Sequence, residues 1–194
     1  MEPQKYEKND VKYAGTVAAG IASGAIARIA VHEAGHALGC VSLGGVPELT
    51  LLDENGNTSI TCHNLDYSNF ESMGGKFQDY VRNTGAPVAE YAASFALAYL
   101  STRIDEEKHP WLVKGMRIAS TTIASFPAFD AVLAAIEETN GYRTDFRELQ
   151  DLGLPLFVTI PATIAIGAGI AYYNFRKKIK GGKKRHTMVS ELTD

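Results

Sequence analysis

Only two cysteines occur among 194 residues. No disulfide framework can hold such a chain together. Cys40 falls one helical turn beyond His36 and reads as a small buried apolar residue. Neither sign of charge predominates. Lysine and arginine number 19 against 22 acids, a net charge of -3, which gives no reason to expect nucleic acid as a partner. The N-terminus, MEPQKYEKNDVKY, mixes acids with lysines and lacks the pattern of a cleavable signal peptide. There is no P-loop and no internal repeat, and no low-complexity stretch outside a basic tail.

Charge is also missing locally, and that absence is informative. Leu152 to Phe175, LGLPLFVTIPATIAIGAGIAYYNF, has none. It is long enough for a helix to cross a hydrocarbon core of about 30 Å. A soluble core helix of that length would carry a polar stripe. The segment ends in Tyr172 and Tyr173 and then runs into RKKIKGGKKRH, the pattern of a cytoplasmic membrane boundary. Pro155 falls in its first turn, and Pro161 is expected to kink it.

Three earlier segments are apolar with few charges. Tyr13 to Ala27 is rich in Gly and Ala, which let membrane helices approach closely. Ala86 to Leu100 is apolar except for Glu90, and Ile118 to Ile136 except for Asp130. Between the first and second, VPELTLLDENGNTSITCHNL has two β-branched runs around Asn-Gly, which predicts a β-hairpin. The stretch DYSNFESMGGKFQDYVRNTG reads as loop plus a short helix. The predicted fold is mainly α: a polytopic membrane bundle of about four spans, with a short hairpin after the first. Residues 1–12 form a polar N-terminal segment, 13–175 the membrane domain and 176–194 a basic tail. Four spans put both termini on one side, and the tail assigns that side to the cytoplasm.

His32 to His36 spell H-E-A-G-H. Residues four apart share a helix face, so His32 and His36 can both direct a ring nitrogen at one Zn²⁺. Glu33 projects beside them, placed to take a proton from water as general base. The flanking AIARIAV and ALGC are apolar. Burying two histidines and a glutamate there without a partner costs several kcal/mol, and a metal supplies the partner. Ala34 and Gly35 keep the helix slim where another backbone or a substrate must approach.

Catalytic zinc takes three protein ligands and keeps one position open. Asp130 is the first candidate for the third, an isolated acid in an apolar segment just past Pro127, which can bend the helix. Asp130 also reads as an N-cap of the following AVLAAI. Glu90 is the second candidate, and Asp105, within the charged run RIDEEKH, the third. His63 and His109 read as loop histidines.

With these residues placed, the chain resembles the site-2 protease family of intramembrane zinc metalloproteases from about Gly15 to Phe175. HEAGHALGCVSLGGVPELTLL is similar to that family's first catalytic helix and hairpin. TGAPVAEYAASFALAYL is similar to its Gly-Pro helix, with an Ala between Gly85 and Pro87. ASFPAFDAVLAAI is similar to its second catalytic segment, although no Asn precedes Pro127 and Ala131 stands in place of Gly. The resemblance implies His32, His36 and Asp130 as zinc ligands and Glu33 as general base. ARIAVHEAGHAL followed by GAPVAEYAA also resembles the zinc peptidase domain of AAA+-linked membrane proteases, which would favour Asp105 as ligand and make the middle helices soluble.

The expected function is a zinc-dependent endopeptidase in the lipid bilayer, cutting a membrane-bound or membrane-adjacent protein or peptide. The alternatives are a soluble-type zinc peptidase tethered by one C-terminal span, and a non-catalytic membrane adaptor on a protease scaffold.

Overall fold

A computed structural model describes the backbone of residues 3–51, 58–65, 75–136 and 144–190, with side chains for 10–51, 58–65, 79–136 and 144–176. Within it α1 (Pro3–Ser42) leads into an antiparallel pair, β1 (Val46–Thr50) and β2 (Ser59–His63). Then come α2 (Gly75–Ser101), α3 (Pro110–Ile136), the short α4 (Asp145–Asp151) and α5 (Leu156–Ser190). The hairpin expected after the motif is present, with Pro47 opposite Cys62 and Glu48 opposite Thr61. Its Asn-Gly turn lies outside the described residues.

The first helix has 40 residues, about 60 Å at 1.5 Å per residue. The polar N-terminal residues therefore continue the same helix as the motif. It ends at Gly44, whose φ of +79° suits a residue without Cβ. Gly45 N donates to Cys40 O and Gly44 N to Val41 O, so two of the last carbonyls are satisfied. This turn sends the chain back over the end of α1.

The sheet's return corrects the reading of the cysteines. Cys40 is fully buried, as expected of a small apolar residue, but it is disulfide-bonded to Cys62, with Cα atoms 5.7 Å apart. The pairing follows from the register: Cys62 faces Pro47, a few residues beyond the turn that closes α1. A separation of 22 residues carries no such signal by itself. Gly45 leaves room for the sulfurs; a Cβ there would lie 2.5 Å from Cys62 Sγ and 2.8 Å from Cys40 Sγ.

α2 is longer than the apolar segment that announced it. It starts at Gly75, so KFQDYVRNTG, expected as loop plus short helix, belongs to a helix of 27 residues. Pro87 stands inside it, as Pro127 stands inside α3 and Pro161 inside α5.

The contacts fix the directions of the helices. Gly20 and Gly24 of α1 meet Ile118 and Ala119–Thr122 of α3, so α1 and α3 run parallel. Gly35 and Gly39 meet Gly85 and Arg82 of α2, which runs the other way. Asn174 of α5 donates from Nδ2 to Arg117 O, Ser120 Oγ and Thr121 Oγ1, while Gly167 sits on Ala124 O, so α5 is antiparallel to α3. Tyr91 Oη donates to Thr163 O between α2 and α5. α3 lies in the middle, with Val113, Ile123, Ala124, Ala131 and Ala134 fully buried. The hairpin and α4 therefore share one end of the bundle with the last turns of α1.

Three helical segments, Asp10–Ser42, Pro110–Ile136 and Leu156–Arg176, are long and apolar enough to cross a membrane. Their outer faces stay apolar and exposed, with Ile21, Ile26, Ile29, Leu38, Phe129 and Phe157 among them. α2 falls short of that measure, since its first half is polar and Glu90 interrupts the rest.

The backbones of α1 and α2 approach closely at Gly35 and Gly85. A Cβ on Gly35 would lie 2.5 Å from both Ala86 Cα and Gly85 O. Gly35→Ala is therefore expected to destabilise the fold by about 1–3 kcal/mol through overpacking. Gly15, with nothing within 4 Å of such a Cβ, should tolerate alanine or gain slightly from its higher helix propensity. Thermal unfolding of the two variants in detergent checks this; equal melting temperatures would remove the tight α1–α2 contact as a source of stability.

Candidate metal centre

His32 and His36 lie one turn apart on α1, and their Nε2 atoms are 3.3 Å apart. The side chain that meets them is Asp145, the first residue of α4. Its Oδ2 lies 3.4 Å from His32 Nε2 and its Oδ1 3.3 Å from His36 Nε2. Among the described residues this is the only group of three or more His, Cys, Asp or Glu with ligand atoms close enough to share an ion.

Each histidine is held from behind. His32 Nδ1 donates to Glu90 Oε1 at 2.7 Å, and His36 Nδ1 to the Arg82 carbonyl at 3.1 Å. Both partners only accept, so each Nδ1 carries the proton and each neutral ring turns a lone pair towards its neighbour and Asp145. Two lone pairs and a carboxylate facing one another repel unless something electron-poor sits among them. Either a metal cation or a proton shared within the cluster can take that place. Asp145 Oδ2 is buried without a hydrogen-bond partner, and so is Glu33 Oε2. Glu33 stands three residues before His36 and so neighbours it on the helix surface. Two imidazoles and a carboxylate suit zinc, and outer partners on Nδ1 are the usual means of aiming metal-bound histidines. The donor set therefore fits the ion expected from the motif.

The site is not sealed. The side chains of His32, His36 and Asp145 keep 17%, 15% and 18% of their exposure, enough for water to reach them. A polar cavity of about 250 Å³ is lined by Asp79, Arg82, Asn83, Glu148, Asp151 and Leu152, and shares with the site only Arg82, whose carbonyl holds His36.

Local sequence explains how Asp145 arrives there. Thr144 caps α4, its hydroxyl accepting from Arg147 N. Phe146 and Leu149 are buried against Ala131 and Ala134 at the end of α3. Tyr80 of α2 donates to Leu152 O, and a second turn at Gly153 ends the helix. Fastened on these sides, α4 presents its first residue to the histidines. The cap residue followed by apolar positions three apart was the available signal; its short length within a net-acidic connection hid it.

The other candidates stand elsewhere. Asp130 is in the interior of α3, not at a cap, and its Oδ2 accepts from Arg28 Nη2. Glu90 is on the far nitrogen of His32. Asp105 accepts from the amides of Glu107 and Lys108 in the α2–α3 connection, at the opposite end of the bundle. His63 lies in β2 and pairs with Glu48 at 2.7 Å, and His109 bonds through its backbone to Asp105 O.

No family model matches the chain, and neither does any curated protein or solved structure.

Proposed function

We propose that this protein is a membrane-embedded zinc endopeptidase, with His32, His36 and Asp145 as ligands and Glu33 as general base. One observation carries the reading: both histidine Nε2 atoms converge with the Asp145 carboxylate while both Nδ1 atoms are engaged behind. Zinc held there would lower the pKa of a water towards about 7 and polarise a scissile carbonyl. Glu33 would take the proton of the attacking water and return it to the leaving amine. The partial exposure of the site lets that water enter.

The lipid bilayer supplies the medium that the exposed apolar faces of α1, α3 and α5 call for. With α2 as the fourth crossing, the basic tail lies in the cytoplasm, and the hairpin end lies on the other side. The Cys40–Cys62 disulfide suits that assignment, because disulfides persist outside the reducing cytosol. The substrate is then a membrane-bound or membrane-adjacent protein or peptide that reaches the hairpin end of the bundle. Neither resemblance supplies this third ligand: the site-2 protease pattern points to Asp130 and the AAA+-linked pattern to Asp105, whereas Asp145 meets the histidines.

A non-catalytic scaffold would fill the same gap with a proton shared among the rings and Asp145. Metal analysis of detergent-purified protein, alongside cleavage of a single-span reporter, separates the two. We expect about one zinc per chain and specific cleavage, with His36→Ala losing both. A wild-type chain that stays metal-free in excess zinc would sink the proposal.

A further inference from the structure

Behind His32 lies a row of charges that hydrolysis itself does not use. Glu90 is 1% exposed, and a carboxylate so deeply buried is stable only when paired and hydrogen-bonded. A single oxygen, Oε1, accepts from His32 Nδ1 at 2.7 Å and from Arg28 Nε at 2.8 Å. Arg28 and His32 are four apart on α1, so one atom of α2 meets two successive turns of the metal helix. The other arm of the guanidinium reaches Asp130 on α3, with the Phe126 ring 4.9 Å away. Three helices therefore meet at one arginine.

We infer that Glu90 and Arg28 are positioning residues for His32, with Asp130 as the anchor of Arg28; the inference rests on the zinc reading of the site. A glutamate has three side-chain torsions and could follow the imidazole as it turns. Arg28 removes that freedom by fixing Oε1, and Asp130 fixes the arginine in turn. His32 then keeps its proton on Nδ1 and its lone pair on Nε2 directed at His36 and Asp145. His36 is held differently, by the backbone carbonyl of Arg82, which moves only with α2. The device acts on one histidine of the pair, and this asymmetry makes it testable.

The test uses the full chain in detergent: wild type, Glu90→Gln, Arg28→Gln, Arg28→Lys and the double variant Glu90→Gln/Arg28→Gln. Zinc affinity is read by competition with a chelator. Imidazole tautomers are read by ¹⁵N NMR of the zinc-stripped protein, well above the imidazole titration range. Glu90→Gln is expected to weaken zinc by about 10–100-fold, the usual effect of losing an outer partner. Arg28→Gln should weaken it by about tenfold, and the double variant no more than Glu90→Gln alone, since the arginine acts through the glutamate. Arg28→Lys keeps the charge without the fork and should recover part of the loss; it carries the same comparison should Arg28→Gln not fold. In the spectra, His32 should change from the Nδ1–H form to a mixture in Glu90→Gln, with His36 unmoved. Independent, additive losses would overturn the inference. So would an unaltered His32, or a shift of both histidines together, which is the mark of general loosening. A wild type that binds no zinc, yet whose His32 tautomer still depends on Glu90 and Arg28, would keep the positioning role and defeat the zinc reading instead.

Discussion

Asp145→Ala is expected to empty the metal site. Its carboxylate is the third group within reach of both Nε2 atoms, and a ligand contributes a bond and a charge to the ion. Zinc affinity should fall by well over ~100-fold, beyond the 10–100-fold that outer partners typically cost. Cleavage should fall to background. Asp130→Ala is the informative contrast. Its carboxylate touches Arg28 and not the histidines, so its loss should be felt only through Arg28 and Glu90, within about tenfold in affinity. Asp105→Ala, at the far end of the bundle, should change nothing. Chelator competition on the three purified variants decides between them. Retention of zinc by Asp145→Ala, with its loss in Asp130→Ala, would return the third ligand to α3 and leave α4 without a role in the site.

The reason Asp145 is hard to find shows what local sequence can carry. His32, Glu33 and His36 are legible because helix geometry alone puts them on neighbouring positions. The hairpin is legible because Asn-Gly between β-branched runs has few other uses. Asp145 comes from more than a hundred residues further on, and its approach is set by Phe146 and Leu149 burying against α3. Asp130 and Glu90 stand out in the sequence as lone acids in apolar stretches, and both pair with Arg28, Glu90 buried and Asp130 partly so. Their isolation announces a partner without saying which. That partner, Arg28, stands one turn before the motif and looks like a helix-flanking charge until α2 and α3 are folded against it. The disulfide is silent for the same reason: Cys62 reaches Cys40 only after α1 has been closed by the turn at Gly44.

Glu33→Gln is expected to separate chemistry from metal binding. The side chain is no ligand, so zinc should stay at about one per chain. The amide cannot accept a proton from water, so turnover should fall by about 10²–10⁴-fold, the usual contribution of a general base. Stability provides a second readout. In the folded chain Glu33 Oε2 is buried with no hydrogen-bond partner, an arrangement that costs free energy when the group is charged. Neutral glutamine relieves part of that cost, so the zinc-stripped variant should melt no lower than wild type. The two effects run in opposite directions, as expected where a group is kept for reaction at the expense of stability. Metal content, cleavage of the single-span reporter and a melting curve on one preparation measure all three. A Glu33→Gln protein that still cleaves at the wild-type rate would remove the general base from this mechanism. One that loses zinc as completely as His36→Ala would make Glu33 part of the metal's own shell.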